Sequence, residues 1–256
     1  MSADAKKRRM NLASRAVQAA FAAILVGAWY LATTHGGISP ILLPNPVAVY
    51  DQLVDVLATG EYIADLRVTL MELASAFSIS ATVGVTLGYL ISRSRYSIRV
   101  FEPLFAGMYS VPIILFLPLY ILFFGLGPAS KIALGVTTSF FPIILNTIAG
   151  FGYVDRIFVL SARSMGASDF QLFRWVLLPA ALPIILTGLR IGFTVALLSI
   201  LGSETIASLA GLGHRIVHLG EGMEMSRMFA YIAFAVAIAL VLNVVVSTLE
   251  RRVKPP

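Results

Sequence analysis

The chain has 256 residues, of which 58% are hydrophobic and only 12% are charged, against roughly a quarter charged in soluble domains. So few charges could not cover a water-soluble fold, and the apolar residues occur in long blocks, so we expect lipid as the solvent. The net charge of +6 would suggest nucleic acid in a soluble protein, but the basic residues flank apolar blocks, so we expect no nucleic-acid partner. The sequence has no cysteine, and its three histidines lack metal-binding spacing, so we expect no metal site and no cofactor in this chain.

Six apolar stretches approach or exceed the ~20 residues that a helix needs to cross the hydrocarbon layer. Backbone groups in lipid have no water to bond, so these stretches are predicted to be helices. The predicted spans are residues 16–33, 73–91, 103–127, 132–154, 176–203 and 228–249. We therefore expect an all-α membrane protein with one transmembrane domain over residues 16–249, between short cytoplasmic tails at residues 1–15 and 250–256.

Lys and Arg collect on one side of these spans. If the spans alternate in direction, fourteen basic residues lie on the side of both termini, and four lie opposite: Arg67, Lys131, Arg215 and Arg227. Because basic loops remain in the cytoplasm, both termini are predicted to be cytoplasmic. The basic start and apolar run of residues 1–33 also fit a signal peptide, but Trp29, Tyr30 and the lack of a small-x-small cleavage site favour a retained first helix.

A short helix is predicted on the outer side at about residues 46–58. Asn45 suits the N-cap and Pro46 the first turn, and the apolar residues that follow have helical spacing. We expect an amphipathic helix at the outer membrane surface. A helix that merely covers the other spans by packing fits the same pattern.

The cytoplasmic segment 155–175 carries its own structural signals. Asp155 can cap a short helix that continues through Met165, and Gly166 suits the left-handed position that ends it. Ser168 to Gln171 forms a capping box that begins a second helix. The segment also contains three aromatic residues that need a packing partner: Phe170, Phe173 and Trp175. The predicted helix–turn–helix is longer than a bare connection needs, so we expect it to present a surface.

Part of this segment resembles the EAA loop of ABC importer permeases. Residues 160–166 read Leu-Ser-Ala-Arg-Ser-Met-Gly, and nine residues later residues 176–179 read Val-Leu-Leu-Pro. The family pattern has Glu-Ala-Ala, then Gly, then Ile-x-Leu-Pro at these spacings, and this sequence departs from it at Leu160 and Ser161. The resemblance implies ATPase-coupling residues at Ser161, Ala162, Gly166, Ala167, Ser168, Val176, Leu178 and Pro179.

Further segments resemble the nitrate/sulfonate/taurine-type branch of these permeases. They follow in the family's order over roughly residues 40–215: residues 42–46, 117–119, 123–127, 141–147, 178–183 and 187–190, with Glu204 before the Gly-Leu-Gly of residues 211–213. A single tripeptide would be weak, but the ordered set is specific. The chain is identified as a member of the binding-protein-dependent transport family.

Membership implies a type I ABC importer permease of six helices in the bacterial inner membrane. It implies a homodimer with a second permease copy, cytoplasmic ATP-binding subunits that bind the ATP and magnesium, a periplasmic substrate-binding protein, and a surrounding of membrane lipid. The coupling loop would dock in a groove on the ATPase and convert ATP hydrolysis into alternating access. The cargo would be a small polar solute, either nitrate-, sulfonate- or taurine-like or a vitamin-precursor-type compound.

Five residues are candidates for the pathway or its gate: Arg190, Glu204, Glu72, Pro112 and Pro118. A charge within a span is a functional hypothesis by default, and for Arg190 we favour a structural or gating role over a substrate contact. If Glu72 lines the pathway, the substrate is neutral or cationic; an interfacial carboxylate near Arg67 is the alternative. Pro112 and Pro118 are predicted to kink the third span.

Other functions fit the sequence less well. A stand-alone secondary carrier or channel is the main alternative, but the chain shows no related halves and few carboxylates at membrane depth. An enzyme within the membrane would need a base or metal ligands, and the predicted spans contain neither His nor Asp, so we expect no catalytic residues. Residues 125–131 lack the ending of a phosphate-binding loop. The coupling-type loop argues against a purely structural subunit.

Overall fold

The computed structural model describes the backbone of residues 3–253 and the side chains of residues 17–18 and 20–251, and within that range every regular element is helical. The first helices along the chain are α1 (Ala3–Thr34), α2 (Pro46–Thr59), α3 (Tyr62–Ser92), α4 (Arg95–Tyr109) and α5 (Leu117–Phe124). They are followed by α6 (Pro128–Gly152), α7 (Arg156–Ser164), α8 (Asp169–Leu172), α9 (Leu178–Ile206), α10 (Leu212–Glu221) and α11 (Met225–Val253). Contacts divide the chain into two units, Met1–Glu61 with Ile216–Phe234 and Tyr62–Arg215 with Ala235–Pro256.

Four of the described helices are long and apolar enough to cross a membrane: Tyr62–Ser92, Pro128–Gly152, Asp169–Ile206 and Met225–Arg251. The pair formed by α4 and the segment Ile113–Phe124 makes a fifth if the two are counted as one span. The described apolar part of α1, Ala20–Thr34, is shorter than these. Six spans therefore remain a prediction for this chain.

The third span is broken, so the prediction of one helix over residues 103–127 is wrong. α4 already begins at Arg95, and after Tyr109 the chain bends by 74° into a 3₁₀ turn, Ile113–Phe116, that leads into α5. Pro112 precedes this turn, and proline both lacks an N–H and disfavours helical backbone in the residue before it. The predicted kink is therefore a complete interruption.

The predicted helix–turn–helix is present in residues 155–175, but its second helix is continuous with the fifth predicted span. α8 passes through a π-helical turn, Phe173–Leu177, directly into α9. The backbone N–H of Leu178 donates to the carbonyl of Phe173, five residues back. Pro179, the next residue, has no N–H to donate, which suits a local change in the hydrogen-bond pattern.

Three further differences concern where helices begin and end, or a short helix that carries charge. α3 begins at Tyr62, eleven residues before the predicted start at Leu73, because the polar residues of its first turns find partners inside the protein. α10 was not predicted, since ten residues with two histidines and an arginine carry no long apolar signal. α11 extends the predicted span 228–249 by a turn at either end.

The second unit is built around close packing of α3, α6 and α9. A Cβ atom at Gly84 would lie 2.9 Å from Ile143, and one at Gly88 would lie 2.6 Å from the Cβ of Thr147. A Cβ at Gly192 of α9 would lie 2.6 Å from the same isoleucine, Ile143. Small residues therefore let the helix backbones approach.

The first unit contains the predicted short helix. The side chain of Asn45 accepts the N–H of Val47 at 2.9 Å, and Gly60 ends α2 in the left-handed conformation at φ +71°. The indole N–H of Trp29 donates to the carbonyl of Pro44 at 3.0 Å. Arg227 pairs with Glu61 at 2.6 Å. The helix at residues 46–58 is thus confirmed within one residue, while its place at the outer membrane surface stays a prediction.

Candidate functional site

The segment α7–α8 has the local structure that its sequence predicts. Asp155 caps α7 by accepting the N–H of Ile157 at 2.9 Å, and Gly166 lies in the left-handed region at φ +79°. Ser168 and Gln171 form a capping box, in which the N–H of Ser168 donates to Gln171 Oε1 at 2.9 Å. Two helix starts and one glycine turn therefore hold this segment in a defined shape.

The segment presents a partly apolar surface. Met165, Phe170 and Trp175 are 82%, 73% and 71% exposed. Phe173 instead packs inward, with its ring 5.0 Å from that of Tyr89 and 6.1 Å from that of Phe151. Of the three aromatic residues that needed a partner, one finds it within the chain and two remain available to another molecule.

The residues assigned to coupling occupy different places in this segment. Ala162 is buried, and Ala167, Val176 and Leu178 are half-buried. The other members of the predicted set are exposed: Ser161, Gly166, Ser168 and Pro179. Leu160, where the family pattern has Glu, is 53% exposed. The exposed position thus carries an apolar side chain in this protein.

Glu204 lies inside the second unit, not on a surface. Its Oε2 accepts the backbone N–H of Gly213 at 2.8 Å, and its Oε1 accepts the hydroxyl of Thr69 at 2.7 Å. The Thr69 oxygen in turn accepts the N–H of Leu212 at 3.0 Å. These bonds satisfy N–H groups at the start of α10, which have no partner within the helix itself.

Two glycines make this arrangement possible. Gly211 has φ +107°, and a Cβ there would lie 2.2 Å from Glu204 Oε1. A Cβ at Gly213 would lie 2.6 Å from both the Cβ of Glu204 and the carbonyl of Leu201. Asp65 completes the turn by accepting the N–H of Gly211 at 3.2 Å. The Gly-Leu-Gly after Glu204 therefore encodes a turn that closes over a carboxylate.

Glu72 lies beside Glu204, and each of the two side chains is 1% exposed. Lys131 is fully buried beside them and donates to the carbonyl of Leu126. In this conformation the two candidate carboxylates thus belong to an internal polar cluster. Lys131 also lies within electrostatic range of Glu72, a proximity that sequence spacing could not reveal.

Arg190 joins α9 to α11. Its Nε lies 3.2 Å from Glu250 Oε2, and Thr187 donates to the other oxygen of Glu250 at 3.4 Å. About one turn further along α9, Thr194 donates to Asn243 at 2.9 Å. Residues 187 and 190 of α9 contact residue 250 of α11, whereas residue 194 contacts residue 243. The two helices are therefore antiparallel. Glu250 was assigned to the C-terminal tail, and no sequence signal connected it with Arg190.

A cavity of ≈590 Å³ opens between these helices, beside the Arg190–Glu250 pair. Its polar lining consists of Arg190, Thr194, Asn243, Ser247, Thr248 and Arg251. The other two pathway candidates, Pro112 and Pro118, lie exposed at the break between α4 and α5. Among the described residues, no group of three His, Cys, Asp or Glu side chains has the arrangement of a metal site.

Comparison with known proteins gives a consistent family. The chain matches the family described as binding-protein-dependent transport system inner membrane component over residues 80–255. It is 32% identical over 238 residues to the taurine transport system permease protein TauC of Escherichia coli, with 91% of this chain and 86% of TauC covered. It is 31% identical to the putative aliphatic sulfonates transport permease protein SsuC of Escherichia coli, with 89% of this chain and 86% of SsuC covered.

Solved structures share the fold at lower sequence identity. A chain of the inward-facing MetNI methionine ABC transporter superimposes with a TM-score of 0.65 at 18% identity, covering 77% of this chain and 98% of that one. A chain of an amino acid ABC transporter gives 0.61 at 22% identity, covering 79% and 96%. These likenesses establish a common fold over about three quarters of the molecule.

Proposed function

We propose, because the chain belongs to the binding-protein-dependent transport system inner membrane component family, that it forms the translocation pathway of an ATP-driven importer and leaves ATP hydrolysis to a separate subunit. The family match over residues 80–255 carries this proposal. The exposed α7–α8 segment supports it, because a permease without its own nucleotide site needs a surface that receives motion from the ATPase.

In this proposal α7–α8 is the coupling element. Its exposed Met165, Phe170 and Trp175 would enter an apolar groove on the ATP-binding subunit. Leu160 would add an apolar contact where the family pattern has a Glu. The helix that begins at Asp169 continues to Ile206, so a displacement of the coupling element would reach the membrane through a single helix without crossing a loop.

The assembly follows from the same assignment. Two copies of this chain would form a homodimer, each docking one ATP-binding subunit on the cytoplasmic side, and a periplasmic binding protein would deliver the solute. We infer six spans, with α1 as the first, and with them a cytoplasmic location for both termini in a bacterial inner membrane. The distribution of Lys and Arg supports this orientation.

The proposed cargo class is a small organic sulfonate. The names of TauC and SsuC, which share about 30% of their sequence with this chain, point to taurine and aliphatic sulfonates. The argument for a neutral or cationic substrate depended on a Glu72 that lines the pathway. Because Glu72 is 1% exposed and lies beside Glu204 inside the second unit, it gives no reason to exclude an anionic substrate.

Arg190 is proposed to hold α9 against α11 through Glu250, which is a structural or gating role. Its guanidinium already has a carboxylate partner at 3.2 Å. If the coupling element moves α9, the movement would directly change the distance between Arg190 and Glu250. A substrate anion would have to compete with Glu250 for the same group.

Co-purification tests the coupling proposal. The cognate ATP-binding subunit should remain with the wild-type chain in detergent and should be lost from Gly166→Val, because a β-branched side chain at φ +79° strains the turn that shapes α7–α8. Gly166→Asn is the matched control, since asparagine tolerates the left-handed region. If the wild type retains no ATP-binding subunit, or if Gly166→Val retains as much as Gly166→Asn, the coupling assignment is wrong.

Uptake into proteoliposomes tests the cargo class. The assembled transporter, with its binding protein and internal ATP, should accumulate taurine or a short alkanesulfonate in competition with other sulfonates. If thiamine-type cations are taken up or compete for uptake and sulfonates have no effect, the substrate is a cation and the proposed cargo class is wrong.

A further inference from the structure

We propose that a basic cavity between α4 and the α6–α7 junction binds the phosphate of an anionic phospholipid in the cytoplasmic leaflet. The cavity has a volume of ≈380 Å³, and Arg95, Arg99 and Arg156 contribute to its lining. Gly152 and Tyr153, where α6 ends, form another part of the wall. The inference rests on the orientation given under the proposed function, which places this end of α6 at the cytoplasmic face.

The three arginines are available to a ligand. Within the part of the chain whose side chains are described, none of them forms an ion pair with a carboxylate. The one carboxylate in the lining, Asp155, already accepts the N–H of Ile157 at 2.9 Å as the cap of α7. The nearby Glu102 accepts the hydroxyl of Tyr153 at 3.1 Å. The cavity therefore carries net positive charge.

Guanidinium groups suit a phosphate ligand in particular. Each presents a planar fork of N–H donors that can bind two oxygens of one phosphate. Arg95 and Arg99 are four residues apart on α4, so they lie on one face of that helix, and Arg156 approaches from the start of α7. Ser94 and Asp155 cap the two helices, and the helix dipoles add positive potential at the same place.

Close packing keeps the cavity in shape. A Cβ on Gly152 would lie 2.7 Å from Ile98 Cδ1, so the first turns of α4 rest directly against the end of α6. Ile98 is buried, while Arg95 and Arg99 on either side of it are exposed. The arginines are thus carried by a helix that is fixed to a spanning helix, and they do not belong to a free tail.

The position of the cavity favours a lipid as the source of the phosphate. It lies where the apolar helix Pro128–Gly152 ends, which is the depth of the headgroups if that helix crosses the membrane. On its other faces α4 exposes Tyr96, Phe101 and Leu104, which are 78%, 40% and 52% accessible. A helix that carries both arginines and exposed aromatic and apolar residues fits the boundary between headgroups and acyl chains. Basic pockets between spans on the cytoplasmic side are suited to anionic headgroups.

Lipid retention tests the inference. The transporter, with any ATP-binding subunit that accompanies it, is reconstituted in an equimolar mixture of phosphatidylcholine and phosphatidylglycerol, and the lipids retained after mild extraction are identified by native mass spectrometry. The wild type should prefer phosphatidylglycerol. The triple variant Arg95→Gln, Arg99→Gln, Arg156→Gln should lose about tenfold or more of that preference, because each basic group near an anionic surface contributes roughly 1 kcal/mol, or about a fivefold factor.

The matched control removes the same charge outside the cavity, through Arg93→Gln, Arg163→Gln, Arg174→Gln. It should retain the wild-type preference. The inference is overturned if the cavity variant keeps its preference, or if the control loses as much, since binding would then follow net charge alone. If the triple variant does not fold, Arg99→Gln is measured in the same way, with partial loss expected and full retention contradicting the site.

Two further measurements test whether the arginines bind a soluble anion or the ATP-binding subunit instead of a lipid. In phosphatidylcholine alone, inorganic phosphate should not raise the thermal unfolding midpoint as phosphatidylglycerol does; an equal rise would replace the lipid by a soluble anion. The double variant Arg95→Gln, Arg99→Gln, which leaves α7 unchanged, should keep the ATP-binding subunit in neutral lipid, and loss of that subunit would assign these arginines to the ATPase interface instead. The proposed function fails separately, by absence of an ATP-binding subunit from the wild type.

Discussion

The carboxylate of Glu204 accepts the backbone N–H of Gly213 at 2.8 Å, nine residues further along the chain. This bond and the hydroxyl of Thr69 occupy both carboxylate oxygens. A buried polar group is tolerated where its hydrogen bonds are satisfied, and here the same bonds close the turn that leads into α10. The relationship gives a structural reason for a glutamate followed by Gly-Leu-Gly, and it makes that turn sensitive to substitution.

Gly211→Ala is expected to destabilise the protein. The new Cβ would combine strain at φ +107° with a contact of 2.2 Å to Glu204 Oε1, so the thermal unfolding midpoint in detergent should fall by about 5 °C or more. Gly202→Ala is the control, because a Cβ there meets nothing within 4 Å. Equal midpoints for the two variants would contradict the closed turn.

Thr69→Val should also lower the midpoint, through lost hydrogen bonds. It would leave Glu204 Oε1 and the N–H of Leu212 without their buried partner, a loss of roughly 2 kcal/mol, or about 5 °C. Thr82→Val provides the comparison, since the exposed Thr82 donates to the carbonyl of Ser78 in its own helix. We expect little change in the unfolding midpoint of that variant. A similar fall in both variants would show that the loss of any threonine hydroxyl in a helix destabilises the protein, and that the bonds of Thr69 are not special.

The Arg190–Glu250 pair should show energetic coupling. Arg190→Gln and Glu250→Gln each break the pair, and the double variant should lose less stability than their sum by about 1 kcal/mol. The surface pair Arg163–Asp169, whose side chains are 54% and 80% exposed, should couple near zero when measured in the same way. If the stability losses of the two single variants are additive and Arg190→Gln raises the KM for transport, Arg190 contacts the substrate instead of holding Glu250.

Gly88→Leu should disrupt the packing of α3 on α6. The added side chain would begin 2.6 Å from the Cβ of Thr147, so the helices must separate and the midpoint should fall by several degrees. Gly107→Leu on α4 is the matched variant, since a Cβ there meets nothing within 4 Å. A protein that accepts both changes equally well would show that residue 88 is not a point of close approach.

Trp175 and Phe173 should separate docking from folding. Trp175→Ala removes a side chain that is 71% exposed, so it should weaken retention of the ATP-binding subunit and leave the unfolding midpoint unchanged. Phe173→Ala removes ring contacts with Tyr89 and Phe151, so it should lower the midpoint as well. A Trp175→Ala variant that retains the ATPase fully would place the docking surface elsewhere.

The local elements could be predicted because their signals lie within a few residues. Asn45 before Pro46, Asp155 at the start of α7 and the Ser168–Gln171 capping box all have the predicted geometry. Gly166 has the predicted left-handed backbone. Each of these depends on which N–H groups are left open at a helix end and which nearby side chain reaches them. The long apolar stretches likewise marked the helices, because lipid leaves the backbone no other partner.

The prediction failed where a helix boundary depends on contacts between residues that are distant in sequence, or on how two consecutive helices join. The break after Tyr109 and the continuous helix through Phe173–Leu177 both occur near prolines, and proline alone does not say whether a helix bends, widens or stops. Tertiary packing made that choice.

The sequence by itself determined the solvent, the helical class and the family, because apolar length, charge placement and ordered motifs are properties of the chain before it folds. The tertiary structure decided what the charged residues do. It paired Arg190 with Glu250 across 60 residues and enclosed Glu72 and Glu204 beside Lys131. The physical reason is that a charge away from water must find its partner in space, and sequence spacing does not reveal which helix will supply it.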